Sequence, residues 1–435
     1  LGFSALAMLA MPVIVYGLAS EYQSVPGKFD LAVFLSRMTF PYLFFISLVA
    51  MLSGLLNARS RFAPGAIAPI LFNITLIGGI IGGYYLRGNS DDDTQVVNVL
   101  SGAVALSGFV QFVYLWWAIK RAGLKLRIKF PKLTPDVKRL GIVILPATFG
   151  AGIYQISQFI DTFFATSLPQ GSLTLLKMGD RLNQMPLGIV GIALGTAILP
   201  MLSRFIQSDN KAEAQKLQEN AFEMATLLTL PAAAALAICA PAFTTAFFVG
   251  GKFTAADGAI MSNIVVALVA GLPAYVVVKI LNPGFFARSD TRTPVYCALA
   301  SLLINIALNI YFIWGLGWGI VGLAGATALS ATLNCILLYM ILQKRGWFHV
   351  TSNLASRIMR QMIAVAAMSA LLWWLMSWLA PYYSGGVFSK IWSLALIVVA
   401  GAAAYGIAGW FSGAINKEQV AALTRRKAVP TVTSE

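Results

Sequence analysis

Apolar runs long enough to cross a bilayer recur along the chain at 1–19, 34–57, 66–86, 96–119, 141–168, 172–203, 221–249, 259–284, 294–314, 319–342, 358–380 and 389–413, separated by polar segments. A hydrocarbon core of about 30 Å takes about 20 residues of helix. The alternating strands of about ten residues that build membrane barrels are absent. A backbone in lipid must satisfy its own hydrogen bonds, so the pattern predicts twelve transmembrane α-helices.

Composition strengthens this reading. Hydrophobic residues make up 58% of the 435 positions and charged residues 11%, more apolar surface than a soluble core could hide. The net charge of +15 is distributed as a topology signal and not as a nucleic-acid surface. Basic residues gather after even-numbered spans: Arg59 and Arg61, then eight residues from Lys120 to Arg139, then Arg204, Lys211 and Lys216, then Arg288 and Arg292, then Lys344, Arg345, Arg357 and Arg360, and finally Lys417, Arg425, Arg426 and Lys427. The opposite loops hold only Lys28, Arg87, Lys252 and Lys390, together with the acidic run Asp91-Asp92-Asp93. Both ends of the chain are therefore expected in the cytoplasm, and no nucleic-acid partner is expected.

Little enzymatic chemistry is on offer. Cys239, Cys297 and Cys335 lie in apolar runs without CxxC spacing, and His349 is the only histidine, so neither a zinc centre nor histidine acid–base catalysis has its residues. The acidic triplet could hold a divalent ion for glycosyl transfer, but its loop offers Asn89, Ser90 and Thr94 and no further ligand, which favours a solvated external turn. The chain opens with Leu1 already inside an apolar run and shows no signal-peptide pattern, the expectation for a sequence that starts within a longer protein.

Self-similarity organises the spans. Pro41-Tyr42, Ala58-Arg59-Ser60, Pro64 and Asn73-Ile74 recur in order as Pro273-Ala274-Tyr275, Ala287-Arg288-Ser289, Pro294 and Asn305-Ile306. Six spans separate the copies, so the repeat is parallel. The expected fold is an all-α integral membrane protein of two pseudo-symmetric bundles, the first lacking two helices, plus two extra C-terminal helices. Its divisions are 1–119 for the remainder of the N-terminal bundle, 120–139 for a basic cytoplasmic linker, 140–342 for a six-helix bundle, 358–413 for the two additional helices and 414–435 for a cytoplasmic tail.

Ionisable groups inside spans are functional candidates because hydrocarbon makes them costly. Arg37 and Lys279 lie near span ends and could instead snorkel. Asp180 and Arg181 sit about nine residues into the sixth span, with Lys177 one turn before and Pro186 expected to break the helix one turn after. They read either as an ion pair between helices or as part of an anion-binding cavity, where a guanidinium suits phosphate. Asp161, flanked by Gln155 and Gln158, has no basic residue within a turn; it must be protonated, reach a cation on another helix, or bind an ion. Asn305 and Asn309, spaced i and i+4, could complete such a site or simply bond between helices.

The segment Gly179-Asp180-Arg181-Leu182-Asn183-Gln184-Met185-Pro186-Leu187-Gly188 with its continuation to Pro200, the run Gly251-Lys252-Phe253-Thr254, and Lys279-Ile280-Leu281-Asn282-Pro283-Gly284 with its continuation to Arg288 resemble the signature of the MurJ/MviN family of lipid II flippases. That family belongs to the multidrug/oligosaccharidyl-lipid/polysaccharide exporter superfamily. The resemblance implies fourteen helices in groups of six, six and two, a cationic cavity between the bundles and a lipid-tail groove on the last two helices. It implies that Arg181 meets a lipid-linked diphosphate, with Asp180, Lys279 and Gln184 as further substrate-binding candidates; Gln184 stands where some members carry glutamate. It also implies a sodium site at Asp161, Asn305, Asn309 and Thr327, in which Asn309 replaces an expected aspartate. The expected protein is a monomeric, multi-pass transporter of the bacterial inner membrane. It works among membrane lipids, is no enzyme, and has no cofactor beyond a coupling sodium ion. The rival readings are another exporter of that superfamily for polysaccharide-lipids or drugs, a membrane glycosyl polymerase, and a scaffold.

Overall fold

The computed structural model describes residues 2–59, 61–88, 92–124, 155–383 and 385–415, with the backbone alone for 189–197. Among these residues the chain is almost wholly helical, and the one β pairing is an isolated bridge between Gly250 and Phe253. Contacts divide it into two compact units, Leu1–Pro146 and Ala147–Glu435.

The first unit contains α1 (Gly2–Leu9), α2 (Met11–Ala19), α3 (Lys28–Thr39), α4 (Pro41–Asn57), α5 (Ala63–Arg87) and α6 (Thr94–Arg121). The predicted span 1–19 is bent by 60° between α1 and α2, next to Pro12. Arg37 donates from Nε to the Met8 carbonyl at 3.0 Å, satisfying an oxygen that the end of α1 leaves without a helical partner. That bond gives Arg37 a structural role. Pro41 occupies the first turn of α4, where its missing N–H costs nothing, and it marks the break between α3 and α4. The antiparallel α5 and α6 pack through small residues: a Cβ on Gly79 would lie 2.4 Å from Ala103 Cβ, and one on Gly83 would lie 3.0 Å from Val96 Cα.

The second unit contains α7 (described over 155–166), α8 (Ser172–Gln207), α9 (Lys211–Phe248), α10 (Ala255–Ala270), α11 (Leu272–Phe286), α12 (Arg292–Ile310), α13 (Gly319–Lys344), α14 (Ser352–Tyr383) and α15 (Val387–Ser412). Its largest core joins α7, α8, α9, α10, α11 and α13 through Phe164, Leu176, Leu202, Ala225, Ile264 and Leu323, among others. A separate cluster seats the α14–α15 hairpin on α9 through Cys239, Met368, Leu372 and Ile397. The cysteines are free, two buried and one half-buried, as small apolar side chains.

Nine helical segments among the described residues are long and apolar enough to cross a membrane, or ten if the bent α1–α2 pair counts as one. The predicted span 141–168 lies outside the described residues before 155, as do most of the linker 120–139 and the tail from 416. The predicted span 259–284 falls within one candidate span, Ala255–Phe286, whose helix is interrupted at Gly271: Pro273 removes a backbone N–H there, and a Cβ on Gly271 would lie 2.8 Å from Ala328 Cα of α13. The break expected at Pro186 does not occur: α8 runs 36 residues with Pro186 and Pro200 inside it. Neighbouring helices can hold a helix together where a proline removes one backbone bond.

Loop residues fix the helix ends. In the turn after α11, Asp290 accepts from the Thr293 backbone N–H at 3.0 Å and from its hydroxyl, and pairs with Arg345. Burial opposes its charge, but these donors outweigh burial and hold the carboxyl at about 2, below the ordinary aspartate value of 3.8. A carboxyl lowered on folding contributes stability above its unfolded value and loses it as pH falls through its folded value. Asp290→Asn should therefore melt below wild type at pH 5, and the gap should close as pH is lowered from about 4 towards 2. Melting curves recorded across that range check the expectation.

Candidate functional site

Helix α8 has two unlike faces. Leu175, Leu176, Gly179, Leu182, Asn183 and Leu187 are buried; Gly179 sits on Ile264 and Val265 of α10, where an added Cβ would come within 3.1 Å of Ile264. On the other side Thr174, Lys177, Arg181 and Gln184 recur at helical spacing and are all exposed, with Met185 as the apolar member at the edge. A face turned to lipid would carry the reverse pattern. This is a polar stripe, starting one turn into a long helix.

The Asp180–Arg181 pair expected as one alternative is not formed. Gln184 Nε2 donates to Asp180 Oδ2 at 3.3 Å, and Asn183 Nδ2 donates to Oδ1 at 3.4 Å. Arg181 is exposed and makes no hydrogen bond or ion pair among the described residues, which leaves its five N–H donors unused there. Lys177 donates from Nζ to Gln158 Oε1 of α7 at 3.1 Å, joining the two helices. Lys279, half-buried on α11, has no such partner among the described residues, and no contact joins it to Arg181.

Residues of the second cluster lie close together in the structure. Asp161 on α7 is 5% exposed, Asn305 and Asn309 on α12 are 2% and 0% exposed, and Asn309 and Thr327 lie beside the Asp161 carboxyl group. Ser301 donates from Oγ to the Ser330 carbonyl at 2.7 Å, Asn305 Nδ2 donates to Ser330 Oγ at 3.4 Å, and Asn309 Nδ2 donates to Asn305 Oδ1 at 3.1 Å. This column locks α12 to α13 and fixes the Asn309 side chain beside Asp161 of α7. Asp161 Oδ1 and Asn309 Oδ1 are both buried and have no hydrogen-bond partner among the described residues. Two unpaired oxygens, one on a carboxylate, with the lone pairs of Thr327 nearby, are oxygen donors of the kind that hard cations take. Asn305 gives its oxygen to Asn309, which makes it the residue that orients the ligand beside it. Ser301 and Ser330 escaped the sequence reading, although Ser301 stands one turn before Asn305 on the same face. Lys177 and Asp180 of the α8 stripe lie close enough to act electrostatically on Asp161.

The acidic turn holds no metal cluster among its described residues. Asp92 accepts from the Thr94 N–H at 2.9 Å, and Asp93 pairs with Arg87.

A chain from Rhizobium meliloti described as a probable lipid II flippase MurJ is 38% identical over 373 residues, covering 86% of this chain and 69% of that one. One from Vibrio cholerae with the same description is 35% identical over 379 residues, covering 87% and 71%. A solved structure titled lipid II flippase MurJ, inward closed conformation, shares the fold at a TM-score of 0.70 with 22% identity, covering 94% of this chain and 80% of that one. An inward-facing multidrug resistance MATE transporter of the MOP superfamily matches at 0.64 with 13% identity, covering 79% and 76%. The family model for lipid II flippase MurJ matches residues 1–394, and with that match and these identities the chain belongs to the MurJ family.

Proposed function

We propose that the chain is a flippase for the lipid-linked peptidoglycan precursor, a multi-pass transporter of the bacterial cytoplasmic membrane with both ends of this chain in the cytoplasm. The observation that carries the reading is the exposed Thr174–Lys177–Arg181–Gln184 face with an arginine that no carboxylate neutralises. A guanidinium in a membrane helix is maintained only where it meets water or an anion, and its planar fork matches a phosphate bidentately. The diphosphate of undecaprenyl-linked substrate is that anion. Gln184 and Asn183 hold Asp180 aside, so the neighbouring carboxylate does not compete for Arg181. Lys279 adds positive charge further along the substrate's route.

Sodium would be held by Asp161, Asn309 and Thr327, with Asn305 as the orienting neighbour. It would add a positive charge beside Asp161 to that of the nearby Lys177. One carboxylate with neutral oxygens matches a monovalent ion. The chain acts as a monomer by alternating access and performs no covalent chemistry. Depleting the full-length protein should make lipid-linked disaccharide precursor accumulate on the cytoplasmic leaflet. Accumulation of a different lipid-linked glycan would favour another exporter of the same fold, and normal precursor levels on both leaflets would overturn the proposal.

A further inference from the structure

A second basic site lies in the second unit, away from the α8 stripe. The end of α8, the start of α9, and the loops after α11 and α13 enclose a cavity of about 470 Å³. Its walls carry Lys211, Arg288, Arg345, His349 and Trp347, against one carboxylate, Asp209. Trp347 is flanked by two guanidiniums, with Arg288 4.9 Å and Arg345 4.7 Å from the ring centroid.

The site is built and not a chance gathering of surface charge. Arg288 donates from Nη1 to the Gly284 carbonyl at 2.7 Å and from Nη2 to the Trp347 carbonyl at 3.5 Å. Arg345 donates to Asp290 and, from Nη2, to Thr293 Oγ1 at 3.1 Å. Gln215 of α9 clamps the opposite wall: its Nε2 donates to the His349 carbonyl at 2.6 Å, and its Oε1 accepts from the His349 N–H at 3.3 Å. Each arginine uses part of its five donors on the protein, and the rest remain for a ligand. Lys211 pairs among the described residues with Asp209, at 3.8 Å, and both side chains are almost fully exposed, so that pair is weak and screened. One turn after Ala214 on α9 lies Gln218, 1% exposed, with both amide atoms unpartnered among the described residues. Its Nε2 abuts Gly284, whose carbonyl Arg288 holds.

We propose that this cavity binds a phosphate group, carried by either a soluble phosphate or diphosphate or an anionic lipid headgroup. Paired guanidiniums present forked, permanently charged donors that suit phosphate better than a single carboxylate. The volume fits a headgroup-sized ligand. The cavity lies at one end of α8, α9, α11 and α13, among charged residues that the sequence places between apolar runs, where a soluble phosphate or a lipid headgroup can reach it. The proposal is independent of the transport reading.

Binding to the purified full-length protein in neutral detergent tests it, in an Arg181→Gln background so that the α8 stripe does not contribute. The probes are inorganic phosphate, pyrophosphate, short-chain phosphatidic acid and short-chain phosphatidylcholine, measured by calorimetry and by melting temperature. At least one anionic probe should bind saturably, and Lys211→Gln combined with Arg345→Gln should weaken it at least tenfold. Lys211→Gln alone, at an exposed residue that the fold does not need, should weaken it about threefold. Equal affinity for pyrophosphate and phosphatidic acid would identify the ligand as free phosphate, and binding of phosphatidic acid alone would identify a lipid headgroup. No saturable binding of any anionic probe, or binding unchanged by Lys211→Gln and by the double variant, would overturn the site.

Discussion

Arg181→Ala in the full-length protein is expected to abolish growth of a strain that depends on it for precursor flipping, while the protein still inserts and accumulates normally. The guanidinium makes no bond within the described residues and sits on an exposed face, so its removal leaves no buried group unpaired and should move stability by no more than about 0.5 kcal/mol. Its loss is felt by the substrate. A hydrogen bond to a charged group is worth about 1.5–3 kcal/mol, and a bidentate contact with a diphosphate makes two. Allowing for incomplete additivity, transport should fall by at least about 100-fold, corresponding to about 3 kcal/mol. Arg181→Lys separates the two parts of the effect: charge is kept and the fork is lost, so an intermediate rate is expected. Wild-type growth on the alanine variant as sole copy would remove the role assigned to this residue.

The sequence disclosed most of this site because hydrocarbon makes polar residues conspicuous. Arg181, Asp161 and the Asn305–Asn309 pair stand out in apolar runs, and their helical spacing alone puts Lys177, Arg181 and Gln184 on one face. What spacing could not give was partner choice. Asp180 and Arg181 are adjacent in sequence, yet they point about 100° apart around the helix, and Asp180 turns to Gln184 one turn on. Breaks within spans were partly hidden. Pro273 marks the interruption at Gly271 locally, but the approach of Ala328 of α13, 57 residues further along, to the Gly271 backbone has no local signal. Pro186 announces a break that packing overrides. The end cavity escaped the reading for the same reason: Arg288 and Arg345 are ordinary topology charges until two loops fold onto Trp347.

Sodium should stabilise the protein through Asp161, and the effect should vanish in Asp161→Asn. An ion that binds only the folded state adds about 2.7 kcal/mol when its concentration is about 100 times its dissociation constant. Melting in sodium chloride should therefore exceed melting in choline chloride at equal ionic strength for wild type. In Asp161→Asn the two curves should coincide, because Asp161 is the one acidic side chain of the cluster and its Oδ1 has no donor among the described residues. Asn309→Asp provides the opposite test. It adds a second carboxylate at a position that the Asn305 and Ser330 column already orients, and cation affinity rises with ligand charge, so sodium should bind at least about tenfold more tightly. The same substitution in choline chloride should lower the melting temperature below wild type, since two buried carboxylates then face each other without a cation. Identical melting of wild type in sodium and choline, or a sodium effect that survives in Asp161→Asn, would show that these oxygens serve only to hold α7, α12 and α13 together.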